Sequence, residues 1–383
     1  MVSVEQPLPL GEAVRSLASV QTISHIHHHP DADRLDIVSV RGWQVVVLRG
    51  AYDAGDKIIF IEIDSQCPKD AIWAAPLAPK HYRVSTIKLR GELSQGFIVP
   101  LSVLPTSQFP DPANLPDDTD VTETLGITKH VPIPQKQARE INQSQQQQTP
   151  TIPFPKDLIP KTDEPRIQSF PRLLDEICGL PYYISVKYDG SSSTYFIDPS
   201  THQFTVCSRN TVVTLPPGVT LKSVQLTKTT TIKDADNYWK PAILSDLPTK
   251  LATLYPHIAL QAEVYGPGIQ KNPLNVPHVK MAVFNAFNLT THRYLDYTDL
   301  KRICHDLGVE MCEVVEEGDS FAVKDTATLI QMAKGKYRGT NTHREGIVVR
   351  PQMETRSRVY RDKKVTRLSF KAINNDFLLK GGS

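Results

Sequence analysis

Short runs rich in Val and Ile, bounded by Gly, Asp and Pro, recur through the first 130 residues. They are RLDIVSV (34–40), QVVVLRG (44–50), DKIIFIEI (56–63), TIKLRG (86–91) and GFIVPL (96–101). β-branched side chains suit a pleated, half-buried surface, and the bounding residues form turns. Five such strands in about 100 residues predict a small all-β barrel or sandwich. After residue 155 the pattern changes. YYISVKYD, FTVCSRN, IALQAEVYG, MAVFNAFNL, EGIVVRP and RLSFKAI read as strands, while PRLLDEICG, YTDLKRICHDLG and DTATLIQMAKG read as helices. The last two helices have an Asp or Thr start and a Gly stop. The strands are not followed regularly by helices, so an α+β domain on antiparallel sheets fits better than a doubly wound parallel sheet.

Between these patterns lies a stretch rich in Gln and Pro and poor in large apolar residues. It cannot bury enough surface to offset its ordering entropy and reads as a linker. The expected division is 1–130, a linker over 131–154, and 155–383, with TIPFPKDLIP lying against a domain.

Composition changes this picture little: of 383 residues, 40% are hydrophobic and 22% charged, as in ordinary globular proteins. The N-terminus lacks the basic and apolar regions of a signal peptide, and no run approaches the about 18 apolar residues of a membrane span. The cysteines are scattered and none forms a C-x-x-C pair, which favours a reducing compartment, cytoplasmic or nuclear, and no secretion. Charge says more. The net +2 hides 11 Lys/Arg against 16 Asp/Glu in residues 1–130, and 30 against 24 in 155–383. Residues 350–371 hold eight Lys/Arg against Glu354 and Asp362, a candidate phosphate-binding surface or a solvated charged face.

Alternation places Tyr183, Ser185 and Lys187 on one strand face, and Asp189-Gly190 ends the strand with a turn signal. A lysine at a pocket edge, partly desolvated or near another cation, loses its proton more easily and attacks as a neutral amine. Lys187-Tyr-Asp-Gly190 resembles motif I, K-x-D-G, of the covalent nucleotidyltransferases, the polynucleotide ligases and capping enzymes. Five further stretches in chain order resemble the family's other motifs: Ser208-Arg209, Glu263 in LQAEVYGPG, Phe284 in AVFNAF, EGIVVRP from Glu345, and SFKAI with Lys371. Each is weak alone; their order from 187 to 371 is specific.

The resemblance implies roles. Lys187 attacks the α-phosphorus of ATP to leave lysyl–AMP, and Lys371 stabilises the developing charge. Ser185, Arg209, Glu263, Phe284 and Glu345 contribute to nucleotide binding, with Phe284 stacking on adenine. Asp189, Glu263 and Glu345 form the expected Mg²⁺ or Mn²⁺ site. One departure stands out. The family's K-x-K in the last motif has Ser369 at its first position, and Arg367 is the candidate substitute. Arg350, Arg356, Arg358, Arg361, Lys363, Lys364 and Arg367 are the candidate RNA-backbone contacts.

In the first domain, HPDADRLDIVSV (29–40) and IKLRGELSQGFIVP (87–100) are similar to tRNA-binding OB modules, with Arg34, Arg41, Arg83, Lys88 and Arg90 as a candidate RNA patch. Consecutive histidines rarely converge on one ion, so His25, His27, His28 and His29 read as ordinary imidazoles. Most DNA ligases and capping enzymes carry their OB domain after the catalytic core, whereas after SFKAI only NNDFLLKGGS remains. An OB domain ahead of the core resembles instead an RNA ligase family, as does GPGIQKNPL (266–274). The fold class implied is α+β: an antiparallel-sheet nucleotidyltransferase domain (an ATP-grasp-like ligase core) preceded by a small all-β OB-fold barrel. The activity implied is ATP-dependent joining of RNA 3′-OH and 5′-phosphate ends, at nicks in duplexes, by a monomer. A GTP-dependent capping-type transferase and a non-catalytic RNA-binding scaffold are the alternatives.

Overall fold

A computed structural model describes residues 14–131, 151–215, 236–360 and 367–380. These fall mainly into two compact units, 15–131 and 151–377. No helix among the described residues is long and apolar enough to cross a membrane.

The first unit is all antiparallel. Strand Lys57–Ile61 pairs on one side with Ala18–Thr22 and on the other with Phe97–Pro100. A meander of His25–His28, Leu35–Val40 and Trp43–Leu48 forms a second sheet, and Thr86–Leu89 and Glu92–Gln95 a hairpin. The hairpin is tied to the meander where the Ser94 hydroxyl accepts from the Val46 N–H at 3.2 Å. The Val/Ile runs read from sequence supply its interior: Val38, Val45, Ile58 and Phe60 form one cluster around Trp43. At Gly96 the chain turns from the hairpin into Phe97–Pro100. There φ is +136°, and an added Cβ would sit 2.4 Å from the Phe60 ring, so both conformation and space require glycine.

The two stretches resembling tRNA-binding modules meet in this unit. His29 is buried, and its Nε2 lies 3.1 Å from the Leu89 carbonyl. His28 Nδ1 lies 2.8 Å from Asp36. Both imidazoles have ordinary partners. Of the expected basic patch, Arg34, Lys88 and Arg90 are exposed, whereas Arg41 pairs with Asp118 and Arg83 with Asp64.

The second unit contains two antiparallel sheets. One has the order Val314–Gly318, Tyr182–Lys187, Gly346–Pro351, Phe370–Ile373. The other has the order Phe204–Ser208, Ser191–Ile197, Ile258–Tyr265, Lys280–Asn288, Arg293–Tyr294. Helix Tyr297–Leu307 buries Leu300, Ile303, Cys304 and Leu307 in a cluster with Leu260, Val264 and Val283 of the five-stranded sheet. This is the 3.6-residue stripe expected of an amphipathic helix, and Gly308 at φ +65° ends it. Helix Thr326–Ala333 buries Leu329 and Ile330 in a cluster with Ile184, Ile347 and Phe370 of the four-stranded sheet. Asp325 caps it by accepting from the Thr328 N–H.

The expected linker lies mostly outside the described residues, and TIPFPKDLIP packs against the second unit as expected. Phe154 is buried with Ile159 and Phe287, and Pro153 bridges Thr211. An aromatic this deep anchors the segment, so packing of the second unit begins before residue 155.

Gly346 pairs with both Lys187 and Ile373. A Cβ there would lie 2.1 Å from the Ala372 carbonyl oxygen, a backbone atom held in the ladder. Gly346→Ala is therefore expected to cost about 1–3 kcal/mol by overpacking, lowering the melting temperature by roughly 3–10 °C. An unchanged thermal denaturation curve would refute this account of the glycine.

Candidate active site

The chain passes from one sheet of the second unit to the other between Lys187, which ends Tyr182–Lys187, and Ser191, which begins Ser191–Ile197. The K-Y-D-G stretch is this crossing. Gly190 has space for nothing larger: a Cβ would fall 2.4 Å from the Val264 carbonyl oxygen and 2.8 Å from Glu263 Cγ. The glycine thus lets the turn close down on the strand that carries Glu263.

A cavity of about 380 Å³ opens at the crossing. Ser185, Lys187, Asp189, Arg209, Glu263, Phe284, Glu345 and Lys371 all line it. The structure therefore brings together, from four strands and three turns, the residues that the motifs place from 185 to 371. Phe284 is only partly buried, so its ring is available to the cavity.

Lys187 Nζ donates to Glu345 Oε2 at 2.6 Å. Burial alone would push the lysine toward its neutral form, but Glu345 and Glu263 outweigh it and raise its pKa. The resting nucleophile is an ammonium held by a carboxylate. Glu263 is raised to about 7, first by burial, with Lys187 partly opposing. Lys371 is lowered to about 8, by burial first, then by the charges of Lys187 and Arg166. Arg209 forms an ion pair with Asp163.

Asp189, Glu263 and Glu345, the carboxylates expected to hold the ion, all line the cavity. Among the described residues, no three His, Cys, Asp or Glu side chains stand together as a cage for an ion. Asp189, Glu263 and Glu345 all bear electrostatically on Lys187. Their hard oxygen chemistry still fits Mg²⁺ or Mn²⁺. Such ions keep several waters and bind through one or two carboxylates plus substrate phosphates.

Two arginines expected to meet RNA are paired with carboxylates of the same unit. Arg350 is 3% exposed and donates to Glu164 Oε1 at 2.8 Å. Arg367 makes a two-point contact with Glu354, both bonds 2.8 Å, and its guanidinium lies 3.7 Å from the centre of the Tyr294 ring. Arg350 lines the cavity from its pair with Glu164, whereas Arg367 does not line it in place of the missing motif lysine. Arg358 is exposed and Arg356 half-buried; Arg361, Lys363 and Lys364 lie outside the described residues.

Glu164 explains the departure at Ser369. Its carboxylate accepts from the Ser369 hydroxyl at 2.6 Å as well as from Arg350, with Arg367 3.9 Å away. Burial disfavours its charge, but Arg350, Arg367 and Ser369 outweigh burial and lower its pKa. A serine fits here because the position faces a buried carboxylate already supplied with cations. Sequence reading missed Glu164, since TDEP carries no periodic or motif signal.

The RNA ligase family profile matches residues 180–373, half of the chain, and an OB-fold domain profile matches residues 17–101. The chain belongs to the RNA ligase family. Its fold class is the one implied by the motifs. Solved structures similar to it include Naegleria gruberi RNA ligase with PPi, 26% identical, at a TM-score of 0.66 over 96% of this chain and 99% of that one. A mutant of that ligase with ATP and Mn is 25% identical, at 0.66 over 95% and 98%. Another mutant, with AMP and Mn, is 26% identical, at 0.66 over 96% and 99%. No curated protein sequence matches the chain.

Removing the Glu164 charge leaves two arginines with one carboxylate fewer. Glu164→Gln is expected to destabilise the protein by about 3–5 kcal/mol at neutral pH. The folded pKa lies below the ordinary 4.5, so the wild-type advantage is full above that value and is lost as pH falls through the folded pKa. Thermal melts of both proteins at pH 7 and in mild acid test this. A gap independent of pH would show that the carboxylate's charge is not what stabilises.

Proposed function

We propose that the protein is an ATP-dependent RNA ligase that joins RNA 3′-OH and 5′-phosphate ends through a covalent lysyl–AMP intermediate. One observation carries the reading. The Lys187 amine ends a strand inside a cleft, 2.6 Å from Glu345, with Lys371, Arg209 and Phe284 on the same walls. Naegleria gruberi RNA ligase, solved with PPi, with ATP and Mn, and with AMP and Mn, supports the choice of nucleotide and ion.

In the first step Lys187 gives up a proton and its nitrogen bonds to the α-phosphorus of ATP. The α–β bridging P–O bond breaks, and pyrophosphate leaves with the bonding electrons. Glu345 is the carboxylate within reach of that proton. Lys371 offsets charge on the α-phosphate oxygens, Arg209 meets phosphate by exchanging Asp163 for it, and Phe284 offers its face to adenine. Ser185 and Glu263 hold the nucleotide, with Glu263 facing the ribose hydroxyls. Glu345 would stand beside a bound Mg²⁺ or Mn²⁺, with Asp189 and Glu263 holding its waters, and the ion would compensate phosphate charge. An oxygen of the RNA 5′-phosphate then attacks the AMP phosphorus and frees Lys187. Finally the 3′-OH attacks the adenylylated 5′ end, a new phosphodiester forms and AMP leaves. These steps rest mainly on alignment and charge stabilisation, which suits ends held side by side at a nick. Among the described residues, Arg356 and Arg358 of the core, and Arg34, Lys88 and Arg90 of the OB unit, are basic side chains offered to the RNA backbone.

Incubation with α-labelled ATP is expected to leave covalent label, stable to denaturation and alkali and released by acid, on the wild type and none on Lys187→Ala. Label from GTP alone would replace this reading with a capping-type transferase. Lys371 must be charged to meet phosphate, and its depressed pKa of about 8 means the charge is lost as pH rises through that value. ATP capture, measured as kcat/KM for adenylylation, should fall on the alkaline side near pH 8. The fall should move to higher pH in Lys371→Arg, whose guanidinium keeps its proton; an unmoved limb would assign it to another group.

Sealing should also weaken steeply with salt, because each phosphate contact releases condensed counter-ions. Arg358→Ala should flatten the slope of log affinity against log salt by roughly 1. The same slope in both proteins would remove Arg358 from the interface.

A further inference from the structure

The geometry points to Tyr337 as a positioning residue that sets the nucleophilic lysine against Glu345 for the first step. It rests on the reading above and adds a residue that no motif contains. Tyr337 lies in the loop between helix Thr326–Ala333 and strand Gly346–Pro351, and it is 2% exposed. Its hydroxyl makes three contacts. It donates to the Lys187 carbonyl at 3.3 Å, and it accepts from the N–H of Asp189 at 2.9 Å and from the N–H of Glu345 at 3.2 Å.

A phenol has one proton to give and two lone pairs to receive, so all of its capacity is spent on the two backbones that carry the reacting pair. One contact pair spans the turn just after the nucleophile. The third fixes the start of the neighbouring strand, at the residue whose carboxylate holds the lysine proton. The hydroxyl therefore ties together the main chain of the two residues whose side chains meet at 2.6 Å.

The tyrosine is itself held from several sides. Its N–H donates to the Thr342 carbonyl at 3.0 Å, and its carbonyl accepts from Thr340 at 3.1 Å. Arg344 donates to the carbonyls of Met332, Ala333 and Lys334 and so fastens the loop to the end of the preceding helix. Asn374 donates from its N–H to the Glu345 carbonyl at 2.9 Å and from its side chain to the Arg344 carbonyl at 3.0 Å. The Tyr188 ring meets the Tyr337 ring edge-on, centroids 5.9 Å apart. A reacting pair is placed well only when its supports are themselves locked.

A small misplacement between nucleophile and phosphorus costs rate rather than binding. The test uses Tyr337→Phe, which keeps the ring and removes only the hydroxyl. Three quantities are measured in wild type and variant: ATP affinity, the single-turnover rate of lysine labelling at saturating ATP, and the rate of sealing an RNA that is already adenylylated. Sealing such an RNA does not use the lysine as a nucleophile, so it also reports whether the variant is folded.

The expected result is a fall in the labelling rate of roughly 10- to 100-fold, with ATP affinity within about twofold and sealing of adenylylated RNA near wild type. A parallel loss in all three would make Tyr337 merely structural and overturn the inference. Equal labelling rates would overturn it too. Absence of label on the wild type is a different failure, since it removes the ligase reading rather than the role of the tyrosine.

Discussion

The contact between Lys187 and Glu345 is the point on which the second unit turns. It joins the ends of two adjacent strands at the place where the chain leaves one sheet for the other. Two partly buried charges in such a place are costly unless each satisfies the other. The arrangement meets that condition with a 2.6 Å bond and, close by, two glycines that admit no side chain. Gly190 presses the turn onto the Glu263 strand, and Gly346 lets the Glu345 strand lie against Ala372. The spacing K-x-D-G and the E-G pair thus have a packing cause as well as a chemical one.

Much of this was legible in the chain. The Val/Ile runs of the first 101 residues mark the strands because that unit buries them, and the stretch 58–61 lies between two clusters with both faces covered. The stripe Leu300, Ile303, Cys304, Leu307 marks a helix for the same reason. Residues 185–371 of the site were readable because each motif pairs a chemical group with a turn or a strand. Other elements were not readable. Ser191–Ile197 lies next to the K-Y-D-G turn and begins with three serines, so nothing in its polarity marks it as a central strand. Helix Asp236–Leu244 carries Pro241, which argues against a helix interior.

What the sequence left unread shares one physical origin. Arg350 and Arg367 were counted with a basic stretch, and charge density along a chain does not reveal which cations have buried partners. Glu164, nearly 190 residues earlier than Arg350, decides the matter. Its effect is visible only when the fold brings TDEP beside the last two strands. Tyr337 escaped for a related reason: it works through backbone atoms, and backbone atoms leave no trace in side-chain spelling.

The pairing of the pocket's cations gives the resting enzyme a particular kind of order. Lys187 has Glu345, Arg209 has Asp163, and Arg350 has Glu164. An arriving polyphosphate at Lys187 and Arg209 therefore meets positive groups that already carry their own counter-charges. Its entry there is an exchange of one set of anions for another, and the carboxylates set free must be taken up in turn. A ligand that brings a divalent ion with it offers those carboxylates a new partner in the same event. Nucleotide alone and ion alone each leave one side of that exchange unfinished.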